Sequence, residues 1–552
     1  MASITVTPPP DPPALSKHGD GGGGGRKLSG VARAAGIVTA ATLLSRLLGM
    51  VRDIVIGHQL GVGIESDAYT AAFKIPDLLM YLVAGGALSS TFIPIFKEYL
   101  HAGREKQAWR TFSIVATVTI VLSAVFVLIA EIWTPLFVHL LNPGYDQARI
   151  DMTVPLTRIV LPAQIFFMLG GLLGGTLNAR GSFLIPALGA SVYNLGIIFG
   201  AAVLYPLYPP HQGLPGLMWG ALLGAFVGNF AMQIVSVSRL GMRYRPSLAV
   251  LHPGAVKVWK MMGPILLGVS LPNVDQIING YFASELSLGA QAAMTFAVRL
   301  MLIPIGVIAQ AMGIALLPTI SSHAALGQRK EFRGAVNRAL RSVLFMTVPA
   351  SALLFLLAAP LVTFLLQSGK FDAHGTMITA SALRFYSLGI FAWSAQAILT
   401  RGFYALQDTR TPVISGTIMT VLFIGMNWLV VNATHMGVGG LALATTIAAV
   451  LHMLVMYVLL RRRMSGLNGG ALLASVTKTL LATAALCALV WLLRVGLDAE
   501  LPGTLTPKIH SAAVLAVAGG LGLVAFLLVA RLLRMSELQS VVDMVRRKRN
   551  KG

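Results

Sequence analysis

The chain has 552 residues, of which 56% are hydrophobic and 11% are charged, and its mean hydropathy is +0.76. Soluble domains carry about 25% charged residues, so this composition excludes a soluble globular protein and predicts an all-α polytopic membrane protein. The net charge of +22 would suit nucleic acid, but basic loops are also typical of membrane proteins, and we expect no nucleic-acid partner. The one cysteine, Cys487, excludes intrachain disulfides and thiolate metal sites.

The N-terminal segment, residues 1–30, is rich in proline and glycine and lacks the apolar core of a signal peptide. We therefore predict that it is a disordered cytoplasmic tail.

Fourteen apolar segments then follow, each long enough to cross a membrane, which takes about 20 residues. They lie at residues 31–59, 66–100, 109–139, 153–179, 183–206, 216–240, 256–284, 289–323, 336–367, 376–405, 412–435, 437–460, 470–494 and 509–533. With the N-terminus inside, the connections rich in arginine and lysine fall on the inner side. The positive-inside rule therefore predicts fourteen transmembrane helices with both termini in the cytoplasm.

Two parts of the chain resemble each other. "FIPIFKEYLHAGREK" at 92–106 is similar to "LLPTISSHAALGQRK" at 316–330, and weaker matches follow in the same order at a nearly constant offset. The repeat contains six helices, an even number, so both copies enter the membrane from the same side, as in some secondary transporters.

This repeat predicts the organisation of the whole chain. We expect an N-terminal six-helix lobe at 31–245, a C-terminal six-helix lobe at 246–466, two extra helices at 467–535 and a basic cytoplasmic tail at 536–552. The basic tail either lies against anionic lipid or is a solvated flank.

The first predicted span carries an unusual stripe of polar and small residues. Arg46, Gly49 and Asp53 follow a spacing of three and four residues, and Arg52 lies on the flank of that stripe. A charge at the bilayer centre costs about 2.5–3.5 kcal/mol, so such residues face a bundle interior or a wet cavity.

Other spans contribute charges at a similar depth. Asp67, Lys74 and Asp77 share a face of the second span, with Lys74 and Asp77 close enough in sequence to pair, and Arg299 lies about 15 Å into the eighth. Together these residues predict a central polar chamber with several fixed cations, which suits a substrate carrying phosphate or pyrophosphate. The alternative is that the charges are internal ion pairs that only lock the helices together.

The second lobe offers oxygen ligands in its interior. Asp275, Asn427 and Thr446, with its neighbour Thr445, have the groups that a sodium ion or a proton relay needs. We therefore hypothesise monovalent cation or proton coupling and expect no other cofactor. The alternative is that Asn427 and the threonines are interhelical hydrogen-bond partners.

Proline and glycine interrupt the second and eighth spans at related places. They stand at Pro76, Gly85, Gly86 and Pro94 in one span and at Pro304, Gly306, Gly313 and Pro318 in the other. Such interruptions suit helices that bend during alternating access, although both residue types are frequent in membrane helices.

Motifs for enzymatic or ATP-driven chemistry are missing from the sequence. There is no Walker-type loop, no His-Glu-x-x-His and no loop long enough for a soluble domain. We therefore expect a transporter and not an enzyme.

Four stretches resemble the MurJ (MviN-type) family of lipid II flippases. They are "TLLSRLLGMVRDIVIGHQLGVGIESDAYTAAFKIPDLL" (42–79), "GALSSTFIPIFKEY" (86–99), "FYALQDTRTPV" (403–413) and "GVGGLALATTI" (437–447). The resemblance extends from about residue 31 to 535 in the number and order of helices. It implies the fold of the multidrug and oligosaccharidyl-lipid exporter superfamily, with two extra helices that form a groove for a polyprenyl tail.

The resemblance also implies an activity and a set of site residues. A family member moves the undecaprenyl-pyrophosphate-linked peptidoglycan precursor across the bacterial cytoplasmic membrane by alternating access, with cell-wall synthesis proteins as possible partners. The family's cavity arginines match Arg46 and Arg52, its aspartates match Asp53 and Asp67, and its arginine of the eighth helix matches Arg299. We add Lys74 to this predicted substrate-binding set.

The sequence departs from the family pattern at two places. Many members carry arginines where this chain has Met80 and Tyr81, and an acidic residue where it has Val298. The chamber thus has fewer charges than in many members. Two alternatives therefore stay open: an exporter of another lipid-linked oligosaccharide or of cationic drugs, and a membrane scaffold that does not transport.

Overall fold

The structure is a computed structural model that describes residues 24–83, 87–209, 212–270, 274–500 and 506–539. These residues form helices and connecting turns, with no strand among them, which confirms the all-α fold class. Residues 1–23 and 540–552 of the two predicted tails lie outside the described residues. The first helix begins at Gly24, so the described part of the predicted N-terminal tail, residues 24–30, is helical.

Eleven α-helices form the first half of the chain. They are α1 Gly24–Leu60, α2 Ile64–Ala72, α3 Lys74–Val83, α4 Ala87–His101, α5 Glu105–Ile132, α6 Thr134–Leu141, α7 Gln147–Val160, α8 Ala163–Ala179, α9 Leu184–Phe199, α10 Leu214–Ala225 and α11 Met232–Arg239. A π-helical turn, Gly200–Leu204, with a short 3₁₀ turn, Tyr205–Leu207, extends α9, and a second π turn, Phe226–Ala231, joins α10 to α11.

Thirteen α-helices form the rest. They are α12 Pro253–Ser270, α13 Val274–Ser284, α14 Ala290–Pro304, α15 Gln310–Ala325, α16 Arg329–Leu356, α17 Ala358–Leu366, α18 Ala373–Ser387, α19 Ile390–Ala405, α20 Arg410–Ala433, α21 Gly437–Arg463, α22 Gly469–Glu500, α23 Pro507–Val514 and α24 Gly520–Leu532. Further π turns lie at Ile305–Ala309, between α14 and α15, and at Leu515–Gly519, between α23 and α24.

Ten helical stretches of the described chain are long and apolar enough to cross a membrane. They coincide with ten of the fourteen predicted spans. The other four, at 31–59, 66–100, 256–284 and 376–405, also fall on helices. Of these, α1 carries a cluster of charges, and the described parts of the remaining three form shorter helices, with residues 84–86 and 271–273 outside the described chain. The count of fourteen therefore stays a prediction.

A large apolar core joins the two predicted lobes. Tyr69 and Leu60 from the first half and Phe296 and Phe371 from the second belong to one cluster of buried side chains. The rings of Phe296 and Phe371 pack edge to face with centroids 5.7 Å apart. This core lies beside the polar residues described below and fixes their backbones.

The last three helices pack on the outside of the second half. Phe526 of α24 contacts Phe345 of α16 in a separate apolar cluster. Beyond α24, residues 536–539 are helical, and the Glu537 carboxylate accepts hydrogen bonds from Arg341 (2.6 Å) and Ser475 (2.7 Å). The predicted basic tail therefore begins with a short segment that is attached to the helices.

Candidate functional site

A carboxylate shared by two arginines lies at the centre of the molecule. Asp53 of α1 accepts hydrogen bonds from Arg52 (2.9 and 3.0 Å) and from Arg299 of α14. Only 14% of the Asp53 side chain is exposed. The predicted ion pairing therefore exists, but two cations share one anion, and the group keeps one net positive charge.

Asn194 fixes the orientation of this group. Its amide oxygen accepts a hydrogen bond from Arg52 Nη1 at 3.0 Å, and its Nδ2 donates to the carbonyl of Ser45 at 3.2 Å. Our sequence analysis did not single out Asn194, although it is the one amide side chain of α9.

A central cavity of about 400 Å³ opens beside the arginines, between helices of both halves. Its polar lining residues are Arg52, Thr70, Lys74, Asp77, Gln276, Asn279, Gln291, Thr295 and Arg299, with the aromatic residues Tyr69, Tyr193 and Tyr386. Three of these side chains are cationic and one is a carboxylate. The cavity thus has a polar lining with a net positive charge, between helices of the two halves.

Lys74 lies in the wall of this cavity but is held by the protein. Its Nζ donates to Asn142 Oδ1 (2.5 Å) and to the carbonyl of Leu141 (3.2 Å). Gln291 of α14 donates to the same Asn142 oxygen at 2.9 Å. No ion pair joins Lys74 and Asp77, both of which the structure describes, so the pairing suggested by their spacing is not observed.

A second cavity, a groove of about 630 Å³, runs between α1, α14 and α17. Its lining is mainly apolar, with Leu43, Leu47, Ile303 and Val307 among the contributors, and it also reaches Arg46, Arg52, Asp53 and Arg299. Arg52 and Arg299 line both cavities. The polar cavity and the apolar groove therefore meet at these two guanidinium groups.

The Arg46 guanidinium lies against Gly306, in the π turn that follows α14. A methyl group built on Gly306 would overlap the Arg46 guanidinium, so alanine at this position would displace that side chain. The regular helix is interrupted at the end of α14 by Pro304 and by the π turn that follows it. The sequence analysis predicts an interruption at this place from Pro304 and Gly306.

Asp67 lies away from the central cavity and caps a helix of the other half. It is buried, and its two carboxylate oxygens accept hydrogen bonds from the backbone amides of Gly289 (2.7 Å) and Ala292 (3.0 Å). These amides form the N-terminus of α14, where a carboxylate satisfies unpaired N–H groups and interacts favourably with the helix dipole. In this structure Asp67 joins α2 to α14.

A second polar contact lies at the same end of the molecule. Lys370 Nζ is 3.0 Å from Glu65 Oε2 and 3.0 Å from the Tyr205 hydroxyl, which donates to Glu65 at 3.0 Å. Partial burial alone would lower the pKa of Lys370, but the hydrogen bonds to Tyr205 and Glu65 raise it above its ordinary value. We call this end, with Asp67 and the Glu65–Tyr205–Lys370 group, the closed end.

The closed end is also packed tightly through backbone. Gly61 has a φ of +66°, and a methyl group on it would overlap the carbonyl of Lys370. The Lys370 amide donates to the carbonyl of His58 at 2.9 Å. The connection between α17 and α18 is thereby bound to the end of α1.

The predicted ion-coupling residues divide into two groups. Asn427 Nδ2 donates to Asn279 Oδ1 (3.2 Å), and Asn279 Nδ2 donates to Thr445 Oγ1 (3.1 Å). Asp275, one helical turn before Asn279, accepts from Thr420 at 3.4 Å. Thr446 instead donates to the carbonyl of Phe385 at 2.8 Å and therefore faces α18.

The two departures from the family pattern lie in different surroundings. Val298 lines the central cavity, so an apolar side chain stands next to Arg299 there. Met80 is exposed, at 37% of its surface. Among the described residues no cluster of three or more histidine, cysteine or acidic side chains could hold a metal ion.

Comparisons with known proteins agree on one family. The family model described as lipid II flippase MurJ matches residues 56–508. The chain is 32% identical to the lipid II flippase MurJ of Burkholderia cenocepacia over 442 residues, 78% of this chain and 84% of that protein. It is 31% identical to the probable lipid II flippase MurJ of Vibrio cholerae over 434 residues, 76% of this chain and 81% of that protein.

Solved structures show the same fold. The structure of a lipid II flippase MurJ in an inward closed conformation superimposes with a TM-score of 0.75 and 23% identity, over 90% of this chain and 98% of that one. An inward-facing multidrug resistance MATE family transporter matches with a TM-score of 0.63 and 16% identity, over 78% of this chain and 98% of that one.

The position of Asp67 predicts an effect on stability without any substrate. Asp67→Ala removes the acceptors for two amides of α14 and is expected to destabilise the folded protein by about 1–2 kcal/mol. Thermal unfolding of the purified protein in detergent measures this, with Asp67→Asn, which keeps one acceptor oxygen, expected to lose less. An unchanged melting temperature for Asp67→Ala would show that the cap contributes nothing.

The Glu65–Tyr205–Lys370 group predicts that charge reversal opens the closed end. Lys370→Glu places a second carboxylate next to Glu65, and the two negative charges repel each other. The probe is Thr70→Cys, in the central cavity. We expect an impermeant thiol reagent added outside to label this cysteine several-fold faster in the Lys370→Glu variant. The background is Cys487→Ser. The double variant Glu65→Lys/Lys370→Glu restores an attractive pair and should label slowly again.

Lys508→Glu is the control for this experiment, because Lys508 lies in another predicted outer connection. Equal labelling of Lys370→Glu and the parent would show that the ion pair does not hold the closed end together.

Proposed function

Since the chain belongs to the MurJ family of lipid II flippases, we propose that it moves lipid II, the lipid-linked peptidoglycan precursor, across the bacterial cytoplasmic membrane. The family's members are transporters, so the proposed activity is translocation and not catalysis. The fold similarity to MATE transporters agrees with membership of a wider transporter superfamily.

One observation carries the proposal: a polar cavity and an apolar groove meet at Arg52 and Arg299. Lipid II has the matching order of parts, with a sugar and peptide headgroup, a pyrophosphate and a long polyprenyl tail. The headgroup would lie in the polar cavity and the tail in the groove. The pyrophosphate would then lie at the two guanidinium groups, whose planar forks suit phosphate oxygens.

The shared carboxylate gives these arginines a way to release the substrate. Asp53 and an incoming pyrophosphate compete for the same N–H donors of Arg52 and Arg299. When the pyrophosphate is bound, the arginines interact with it, and when it leaves, Asp53 neutralises one of the two cations. This exchange avoids an unpaired cluster of charge in the membrane.

Alternating access requires the closed end to separate. Its contacts join α2 to α14 through Asp67 and the α17–α18 connection to α1 and α2 through Lys370. We assign the closed end to the outer side and both termini to the cytoplasm, because the positive-inside rule gives this orientation. Cell-wall synthesis proteins would act on the translocated precursor.

A monovalent cation is the second part of the proposal. Asn279, Asn427 and Thr445 bring side-chain oxygens from three helices together, and Asp275 adds a carboxylate one turn away. Asn427 is fully buried, and its Oδ1 has no hydrogen-bond partner among the described residues. Such an oxygen suits a sodium ion or a proton carrier, and Thr445 takes the place that the sequence analysis gave to Thr446.

The main prediction concerns replacement of a resident flippase. A bacterium depleted of its own lipid II flippase should grow when it expresses this chain and should again expose precursor on the outer leaflet. Arg46→Ala and Arg299→Ala should reach the membrane and lose this activity, because each removes a guanidinium that lines the groove. Arg462→Ala, an exposed arginine at the end of α21, is the matched control.

The same variants in vesicles containing lipid II separate the proposed function from host effects. Translocation by the purified wild-type protein supports the proposal even if the host is incompatible. A wild-type protein that is folded in the membrane but translocates in neither system overturns it. Normal activity of both arginine variants would instead favour a different substrate path.

Ion coupling is tested in these vesicles with imposed gradients. We expect a sodium or proton gradient to change the translocation rate several-fold in the wild type, and Asp275→Asn and Thr445→Val to reduce this dependence. Thr446→Val is the control, because its hydroxyl faces Phe385. Rates that ignore both gradients would argue against coupling through this group.

A further inference from the structure

Arg401 of α19 is a cation that the sequence analysis did not consider. Its Nη1 donates to the carbonyl of Ala397 at 2.9 Å and its Nη2 donates to Gln310 Oε1 at 2.9 Å. The side chain is half-buried, and no carboxylate of the described residues pairs with it. Arg401 lies about one turn from the end of α19, and its guanidinium keeps further N–H donors that an external anion could use.

The backbone of the eighth predicted span is shaped to receive this side chain. A methyl group built on Gly313 of α15 would overlap the Arg401 guanidinium. Gly306, seven residues earlier, has the same relation to Arg46. Two glycines of one helical span therefore make notches for two arginines, one from each half of the molecule.

These notches lie along one cavity. Arg299, Gly306 and Gln310 all line the apolar groove, and Gln310 holds Arg401. At a rise of 1.5 Å per residue, the span from 299 to 313 covers about 21 Å. The order along this path is Arg299, Arg46 and Arg401, from the central cavity towards the end of α15 and the basic start of α16 at Arg329 and Lys330.

The charge along this path is strongly positive. Asp53 is the only carboxylate among the residues that line the groove, and Arg52 and Arg299 already share it. Arg46 and Arg401 have no acidic partner among the described residues, so both guanidinium groups keep N–H donors for an anion.

We propose that Arg401 is a further substrate-binding residue, which holds the pyrophosphate of the lipid-linked substrate at the entry end of the groove before Arg46 and Arg299 receive it. The inference rests on the proposed function and extends it. Because the Gln310 oxygen that accepts from Arg401 is neutral, an anionic phosphate oxygen can replace it and form a stronger hydrogen bond between two charged groups.

The test measures binding of undecaprenyl pyrophosphate to the purified full-length protein in detergent by native mass spectrometry. Arg401→Ala is expected to bind this probe about tenfold more weakly, because the variant loses a hydrogen bond to a charged group. Arg401→Lys, which keeps the charge, should recover part of the affinity.

Gly313→Ala tests the same site without removing the arginine. Its methyl group displaces the guanidinium, so affinity should fall although Arg401 is still present. Undecaprenol, which has the tail but no phosphate, should bind equally to the wild type and to Arg401→Ala. Arg462→Ala is the control for loss of an arginine elsewhere.

Two results would overturn the inference. One is wild-type affinity of Arg401→Ala for undecaprenyl pyrophosphate, and the other is an equal loss of undecaprenol binding, which would mean that Arg401 only holds α19 against α15. Translocation of lipid II by the wild-type protein in vesicles is measured in parallel. Its failure overturns the proposed function, whereas an unaffected Arg401→Ala overturns only the role of Arg401.

Discussion

Charged groups inside a membrane must be paired or solvated, and the shared carboxylate of Asp53 meets this requirement across the two halves of the molecule. Arg52 comes from the same helix, while Arg299 comes from α14 in the second half. One carboxylate therefore holds together two walls of the groove, α1 and α14. Because it neutralises only one of two cations, the same interaction leaves an attraction for a further anion.

The chemistry of the site could be predicted from the sequence where depth alone decides it. Four charged residues lie deep in apolar spans: Arg46, Arg52, Asp53 and Arg299. A charge at such a depth is stable only where it faces a polar interior of the helix bundle. Their convergence on adjoining cavities follows from the same physical cost. The all-α fold was predictable for the same reason, since long apolar segments leave the backbone no other spanning structure except a closed barrel.

The partners of polar residues could not be predicted, because they depend on which helices meet. Asp67 has the same sequence context as a cavity residue, yet it caps α14 more than 200 residues away. Lys74 is three residues from Asp77 in sequence but binds Asn142, which lies in the turn between α6 and α7. Thr445 and Thr446 are adjacent, and the 100° rotation between neighbouring helix positions directs one towards Asn279 and the other towards α18.

The π turn at Ile305–Ala309 has a consequence for how this part of the chain can change in evolution. A π turn holds one residue more than an α-helical turn, so deletion of one residue there would leave a continuous helix and cost little stability. The extra residue fits within about one full turn, so this deletion would leave α15 in nearly the same rotation relative to α14. Deletion of one residue from the regular helix on either side would instead rotate α15 by about 100°. Gln310 and Gly313 would then leave the face that carries Arg299, so alignment of the groove limits changes of length in the flanking helices more than in the turn itself.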